Sequence, residues 1–282
     1  MTRLKAGPFT LRGVSVGGVY TSIYVQELGA VLDVGMALRS FAGADLIFIS
    51  HGHADHIGSL PALLGIRGLL HKQPPRVYVP KETLPDIEAA LAPLTRAQRY
   101  DLAMDAVGVA AGDEHSLHSD LWVRSFSTFH PVPSVGYQFF RRVRKLKDEF
   151  KRLSGEEIRD LRQHAAGEMF FLQDNLELAY ATDTLVEVLD KNPELYRSRV
   201  LVLECSFLDD RKSLRDTRAG CHIHLDELLE RASLFQNEHV VLMHFSQLYS
   251  PAEVHAILEQ RCPPDLHQRL RVFAPQRGAW PG

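Results

Sequence analysis

The strongest constraint in this chain is a six-residue string, His51-Gly52-His53-Ala54-Asp55-His56, set directly after the apolar run Asp45-Leu46-Ile47-Phe48-Ile49. The run reads as a strand buried on both faces. A lone histidine or aspartate after a strand is normally a cap or a surface residue. Four metal-competent side chains in six positions are a metal motif. In extended chain His51 and His53, two apart, project to one side and can grip one ion. Asp55 and His56 lie past a turn and reach a second. Imidazole nitrogens and carboxylate oxygens suit Zn²⁺, with Mn²⁺ or Fe as further candidates. A pair of such ions about 3.5–4 Å apart acidifies water and clamps the attacked and leaving oxygens of a displacement.

Three more ligand-competent residues stand where a strand pattern stops: His130 after 121–127, Asp183 after 177–181 and His244 after 240–243. Strand ends converge along one edge of a sheet, so these segments can meet at one rigidly held site. His71, His115, His118, His164, His239, His255 and His267 have no such setting and read as surface residues.

With 282 residues, 45% hydrophobic and 24% charged, the chain can bury a real core. Strands dominate from Phe9 to Val34. A helix opens at Pro61, and helical spacing over 83–102 is broken by Pro93. Later strands alternate with helices at 225–234 and 252–260. No linker divides the pattern, so residues 1–282 read as a single α/β domain with two sheets wrapped by helices. The net charge of −3 excludes a chain that is basic all over. A nucleic-acid partner would need a local patch. The densest one is Arg141, Arg142, Arg144, Lys145, Lys147, Lys151 and Arg152, inside a helix-compatible run over 141–164 expected to project beside the metal site. The three cysteines fit no disulfide framework or Cys-x-x-Cys motif, which points to the cytoplasm. The N-terminus shows no signal-peptide pattern, and no stretch of about 20 apolar residues could cross a membrane.

The string His51-Gly52-His53-Ala54-Asp55-His56-Ile57-Gly58, with His130, Asp183 and His244, resembles the motif series of the metallo-β-lactamase superfamily. Gly13-Val14-Ser15-Val16-Gly17-Gly18, Thr128-Phe129-His130 with Gly136-Tyr137, Lys145-Leu146-Lys147, Glu204-Cys205-Ser206-Phe207-Leu208-Asp209-Asp210, His222-Ile223-His224 and Met243-His244-Phe245-Ser246 narrow the likeness. Over about residues 9–274 the chain is similar to the ribonuclease Z family, most of all its short plant-type form. The resemblance implies an αββα sandwich of two mixed β-sheets flanked by helices. It implies two zinc ions: His51, His53 and His130 on the first, Asp55, His56 and His244 on the second, and Asp183 between them. It also implies Asp55 as general base, and His222, oriented by Glu204, as a group that assists the phosphate or protonates the leaving oxygen. Precursor tRNA as partner, cut to release its 3′ trailer, and a homodimer follow from the same likeness.

Three departures set this chain apart. Leu248 stands where the family usually has Arg, Thr182 precedes Asp183 where Gly is common, and the Gly/Pro-rich tRNA-gripping arm is absent. Residues 141–164 would then serve as the arm, with Arg141, Arg142, Arg144 and Lys145 on phosphates. A rival reading is a hydrolase of the same fold acting on a small phosphodiester or ester. A nucleic-acid-binding protein with a dead site is a third, disfavoured because every ligand and both acid/base candidates are present.

Overall fold

The computed structural model describes residues 1–159, 161 and 169–281. Two seven-stranded sheets carry the fold. The first runs in sequence order from β1 (Thr2–Ala6), β2 (Phe9–Val16), β3 (Tyr20–Val25) and β4 (Ala30–Leu32) to β5 (Leu46–Phe48), β6 (Arg76–Pro80) and β7 (Asp105–Val109). The second comprises β8 (Glu114–His118), β9 (Leu121–Ser127), β10 (Val135–Leu146), β11 (Phe170–Ala181), β12 (Val200–Glu204), β13 (His239–Met243) and β14 (Leu270–Val272). Both sheets are mixed. β1 to β4 and β8 to β11 pair antiparallel, whereas β4 to β7 and β11 to β14 pair parallel through helical crossovers.

Three apolar layers hold the four layers of structure together. Leu11, Ile23, Phe48 and Tyr78 of the first sheet meet Tyr137, Phe139, Tyr180 and Val202 of the second in the central core. Val31, Ile47, Leu63, Leu64, Ile87 and Leu91 seal the first sheet against α1 (Ala54–Ile57), α2 (Leu60–Leu69) and α3 (Leu84–Gln98). Leu201, Leu203, Leu225, Val254 and Leu258 do the same on the other side. This is the expected αββα sandwich. The inner parallel strands, β12 and β13 above all, are buried on both faces, which is why they read as unbroken apolar runs rather than alternations.

The two sheets are fastened together at the metal motif. Tyr137 on β10 donates its hydroxyl proton to the carbonyl of Ile49, 2.7 Å away, at the end of β5. Val135 N–H donates to Ser50 O, and His51 forms a bridge with Ser134. Gly35 is needed for the same junction: a Cβ there would lie 1.8 Å from Asp55 O and 2.8 Å from Thr21 N, both backbone atoms that cannot step aside cheaply. Gly35→Ala should therefore lower stability by about 3 kcal/mol or more. Denaturant unfolding checks this, and a loss under about 1 kcal/mol would contradict the packing described here.

Several local expectations are corrected. Helix α3 runs unbroken through Pro93, which with Ala89, the residue whose carbonyl loses its helical partner, lies on the exposed face. The expected 225–234 helix ends at Glu230, followed by a short 3₁₀ turn over Ala232–Leu234. Strands β1, β7 and β8 were not legible in the sequence pattern. Among the histidines expected at the surface, His115 packs its ring on Tyr78, His239 is half-buried, and His255 lies 3.2 Å from Pro275 O; His71, His118 and His267 are exposed. His164 lies outside the described residues.

The largest correction concerns the basic run. Residues 141–146 are not helical but continue β10, paired with β11 as far as Leu146 against Phe170. The charges of Arg141 and Arg142 are supplied with partners across the sheet. Arg142 donates to Glu114 and Asp174 and lies over Trp122 and Phe140, and Arg141 pairs with Asp120. Nor does the run project beside the metal motif. β10 starts at the motif and leads away from it, so Lys145, eight residues past Tyr137, sits roughly 26 Å along the strand. Of the 141–164 segment, residues 160 and 162–164 lie outside the described residues.

Candidate metal centre

Every expected ligand emerges where β-structure gives way. His51 and His53 follow β5, and His53 is the N-cap of α1, whose first turn carries Asp55 and His56. His130 follows β9, Asp183 follows β11 and His244 follows β13. Asp183 and His244 both have left-handed backbone, φ 45° and 61°, as does Asp33 after β4 at φ 56°. Non-glycine residues adopt this conformation at a cost, and strain of this kind clusters at functional sites.

The structure brings all seven side chains together. Nε2 of His51 and Nε2 of His130 lie 3.2 and 3.1 Å from Nδ1 of His53. A few ångströms away Nε2 of His56 and Nε2 of His244 are 3.3 Å apart. Asp183 Oδ2 lies 3.1 and 3.3 Å from those two nitrogens, and Asp55 Oδ2 lies 3.4 and 3.8 Å from them. Bonds of about 2.0–2.2 Å at tetrahedral angles put ligand atoms roughly 3.3–3.6 Å apart. Both groups match that edge length. Asp183 also clusters with His51 and His56, so one carboxylate faces both positions. The donor set and its spacing fit two divalent cations.

Hydrogen bonds set the tautomers. Asp33, fully buried, accepts from Ser50 N–H at 2.7 Å, Ser50 Oγ at 2.8 Å, His56 Nδ1 at 2.8 Å and Tyr180 OH at 2.5 Å. Ser50 spends its proton on Asp33, so toward His51 Nδ1, 2.9 Å away, its oxygen accepts. Both imidazoles therefore carry the proton on Nδ1 and present a bare Nε2. One carboxylate thus orients a ligand at each of the two positions. Ser206 plays a similar part: its Oγ donates to Glu204 Oε2 at 2.7 Å and lies 3.2 Å from His244 Nδ1.

The electrostatics favour cations. Burial, then the neighbouring His56, pushes His51 down to about 2. Burial lowers His130 to about 4 against the pull of Asp183. Both offer lone pairs at neutral pH. Burial raises Asp55 and Asp183, but His244 and His56 overcome it and hold both carboxyls below the usual range. At His56 burial disfavours the charge, yet Asp183 and Asp33 raise its pKa well above the ordinary value. A metal ion held there would take the place of that proton.

Beside this centre His222 keeps 24% of its side chain exposed, with Nδ1 3.2 Å from both oxygens of buried Glu204 and 3.9 Å from Asp183 Oδ1. Glu204 also accepts from Thr184 N–H at 2.6 Å, which ties it to the turn bearing Asp183.

The chain is similar to tRNase Z TRZ1 of Arabidopsis thaliana, 34% identical over 275 residues that cover 96% of each. This chain belongs to the tRNase Z family. Chloroplastic tRNase Z TRZ2 of the same plant is 32% identical over 87% of this chain and 70% of its own length. A family model described as a beta-lactamase superfamily domain matches residues 21–245. Two solved structures share the fold at 16% and 17% identity respectively. The metallo-beta-lactamase fold protein YhfI of Bacillus subtilis has a TM-score of 0.63, covering 93% of this chain and 94% of its own. Human tRNase Z, short form, has a TM-score of 0.58 at 95% and 97% coverage.

The departures from the tRNase Z pattern now have a structural setting. Leu248 is 51% exposed. Arg211 lays its guanidinium over the Tyr249 ring at 4.2 Å and donates to Leu248 O, Asp209 and Glu253. A cation thus stands at this loop, supplied from another segment and neutralised by its acids. Thr182 donates its hydroxyl proton to Asp183 Oδ2 at 2.7 Å, so the side chain steadies the ligand it precedes. Asp33, Ser50, Tyr180 and Ser206 were missed in the sequence. Asp33 alone carried a signal, an acid at the end of an apolar run, the same rule that marked Asp183.

Proposed function

We propose that this tRNase Z family chain is a metal-dependent endoribonuclease that removes the 3′ trailer of precursor tRNA and leaves a 3′-hydroxyl. The observation that carries this is the pair of ligand groups at tetrahedral edge spacing, sharing Asp183, in a chain of this family. Two divalent cations, Zn²⁺ by the donor chemistry, would supply Lewis acidity and the positive charge that a phosphodiester undergoing cleavage requires. His51, His53 and His130 would hold one, Asp55, His56 and His244 the other, with Asp183 between. A cytoplasmic homodimer completes the reading, supported by the three free cysteines and by the family likeness.

The chain's own groups divide the proton work. Asp55 stays ionised and is 16% exposed, open to the attacking water, so it orients that water and accepts its proton. His222 has Nδ1 engaged by Glu204, which leaves Nε2 to donate to the departing oxygen. Burial opposes its charge, but Glu204, with Asp183 and Asp55, raises it to about 9. An acid with a raised pKa stays protonated below that value and is lost above it. The alkaline limb of kcat/KM should therefore fall near pH 9, and Glu204→Gln should move it toward lower pH. His222→Ala should reduce kcat by about 10²–10⁴-fold on precursor tRNA. An unchanged kcat would remove His222 from catalysis.

Of the basic run, Arg144, Lys145, Lys147 and Arg152 form no ion pair among the described residues, and of these Arg144 and Lys145 are the two on β10 left for RNA. At their distance from the centre they would meet phosphates of a long substrate far from the cut. Neutralising both should weaken precursor tRNA binding several-fold and reduce its salt slope by about 2. Hydrolysis of a small phosphodiester should not change. Salt-dependent binding measurements check this, and an unaltered slope would contradict it.

The exposed Leu248 and the internally neutralised Arg141 and Arg142 favour a second reading, a small-phosphodiester hydrolase. Zinc-loaded protein given precursor tRNA and bis(p-nitrophenyl) phosphate in parallel separates the two. Cleavage of the RNA at its 3′ trailer supports the proposal, and cleavage of the ester alone supports the second reading.

A further inference from the structure

Next to the metal motif lies a cavity of about 320 Å³ between α1 and α3. Its walls are aliphatic: Ile57, Ile87, Ala90 and Leu91, with Gly52 at one side. Thr83 and Asp86 supply its polar side chains. Gly52 stands between the ligands His51 and His53, so the loop that presents two imidazoles to the centre is also a wall of the cavity. A Cβ on Gly52 would approach Thr83 Cγ2 at 3.1 Å, and any larger side chain would narrow the space. The core does not use this cavity, although Ile87 and Leu91 are among its buried residues.

We propose that this cavity is a subsite for one nucleobase, one of the two attached through their riboses to the scissile phosphate. The inference rests on the phosphodiesterase reading above and adds where the substrate is held. A phosphate at the metal centre tethers a flat heterocycle one ribose away, and the loop that carries His51 and His53 forms a wall of this apolar space through Gly52. Small-ligand sites combine apolar walls with a few polar groups, as here. A base removed from a stack is held between apolar side chains and read along its polar edge, the part that Thr83 and Asp86 would meet. Ala90 is exposed on α3 and lies outside the catalytic machinery, so its side chain can be enlarged into the cavity without touching a ligand.

The test compares three p-nitrophenyl phosphodiesters with one leaving group: methyl, thymidine 5′ and thymidine 3′. In the zinc-loaded parent, one nucleoside ester should exceed the methyl ester in kcat/KM by about 10-fold, the scale of one base contact. Ala90→Trp should erase that advantage through KM, leave the methyl ester unchanged, and keep the melting temperature. Ala90→Leu, a milder filling, should erase part of it. Equal rates for all three esters in the parent, or an advantage that survives both variants, would overturn the proposal. An advantage that survives while Ala90→Trp changes the sedimentation coefficient would assign the cavity to contact with a second copy instead, which also overturns it. Inert esters of all three kinds would count against the phosphodiesterase reading itself.

Discussion

Asp55→Ala is expected to lower turnover on precursor tRNA by about 10⁴-fold or more while the protein remains folded. Two functions are lost in one step. Asp55 Oδ2 is one corner of the group formed with His56, His244 and Asp183, and the same carboxylate is the proposed base, partly open to water. The structure also explains why the fold should survive. Asp55 sits in the first turn of α1 with a partly exposed side chain, and what packs against Gly35 is its backbone carbonyl, which alanine keeps. Steady-state kinetics at saturating zinc, with a circular dichroism melt alongside, decide the matter. A loss smaller than 10-fold would remove Asp55 from both roles.

Asp33→Ala should have the next largest effect, and on different quantities. Removing this carboxylate leaves Ser50 N–H, the Ser50 hydroxyl, His56 Nδ1–H and the Tyr180 hydroxyl without their acceptor in a site sealed from water. Breaking a buried pair from one side costs about 3–5 kcal/mol. The two orienting bonds also disappear together, so His51 and His56 lose the tautomer that exposes Nε2. Metal affinity should fall about 10–100-fold at each position. Chelator competition measures the affinities, and denaturant unfolding measures the stability. If only one of the two ions weakened, the route from Asp33 through Ser50 to His51 would be wrong. If neither did, Asp33 would be structural alone.

How far the site was legible follows from how local its signals are. His51, His53, Asp55 and His56 are contiguous, and His130, Asp183 and His244 each end an apolar run, so all seven could be picked from the sequence. Their orientation depends on hydroxyls at Ser50, Tyr180 and Ser206, which are brought in from three different strand ends. Nothing in a single sequence links Tyr180 to Asp33, yet they meet at 2.5 Å. The inner parallel strands were plain because double burial makes apolar runs. The weak strands at β1, β7 and β8 have exposed faces and lie near the sheet margins, where composition says little. The basic run failed for a physical reason too. Charge density alone does not distinguish a solvated helix from a strand. What decided it were acids at Glu114, Asp120 and Asp174, distant in sequence, that neutralise Arg141 and Arg142 across the sheet.

Counting the metal is the most direct test. On the proposed reading, seven ligand atoms in two groups with one shared carboxylate would take about two ions per chain, since a single tetrahedral site takes four. Elemental analysis of metal-replete protein should return about two zinc ions per chain, falling to about one in His53→Ala, which removes a ligand from one group only. One ion or none in the unmodified protein would contradict the account.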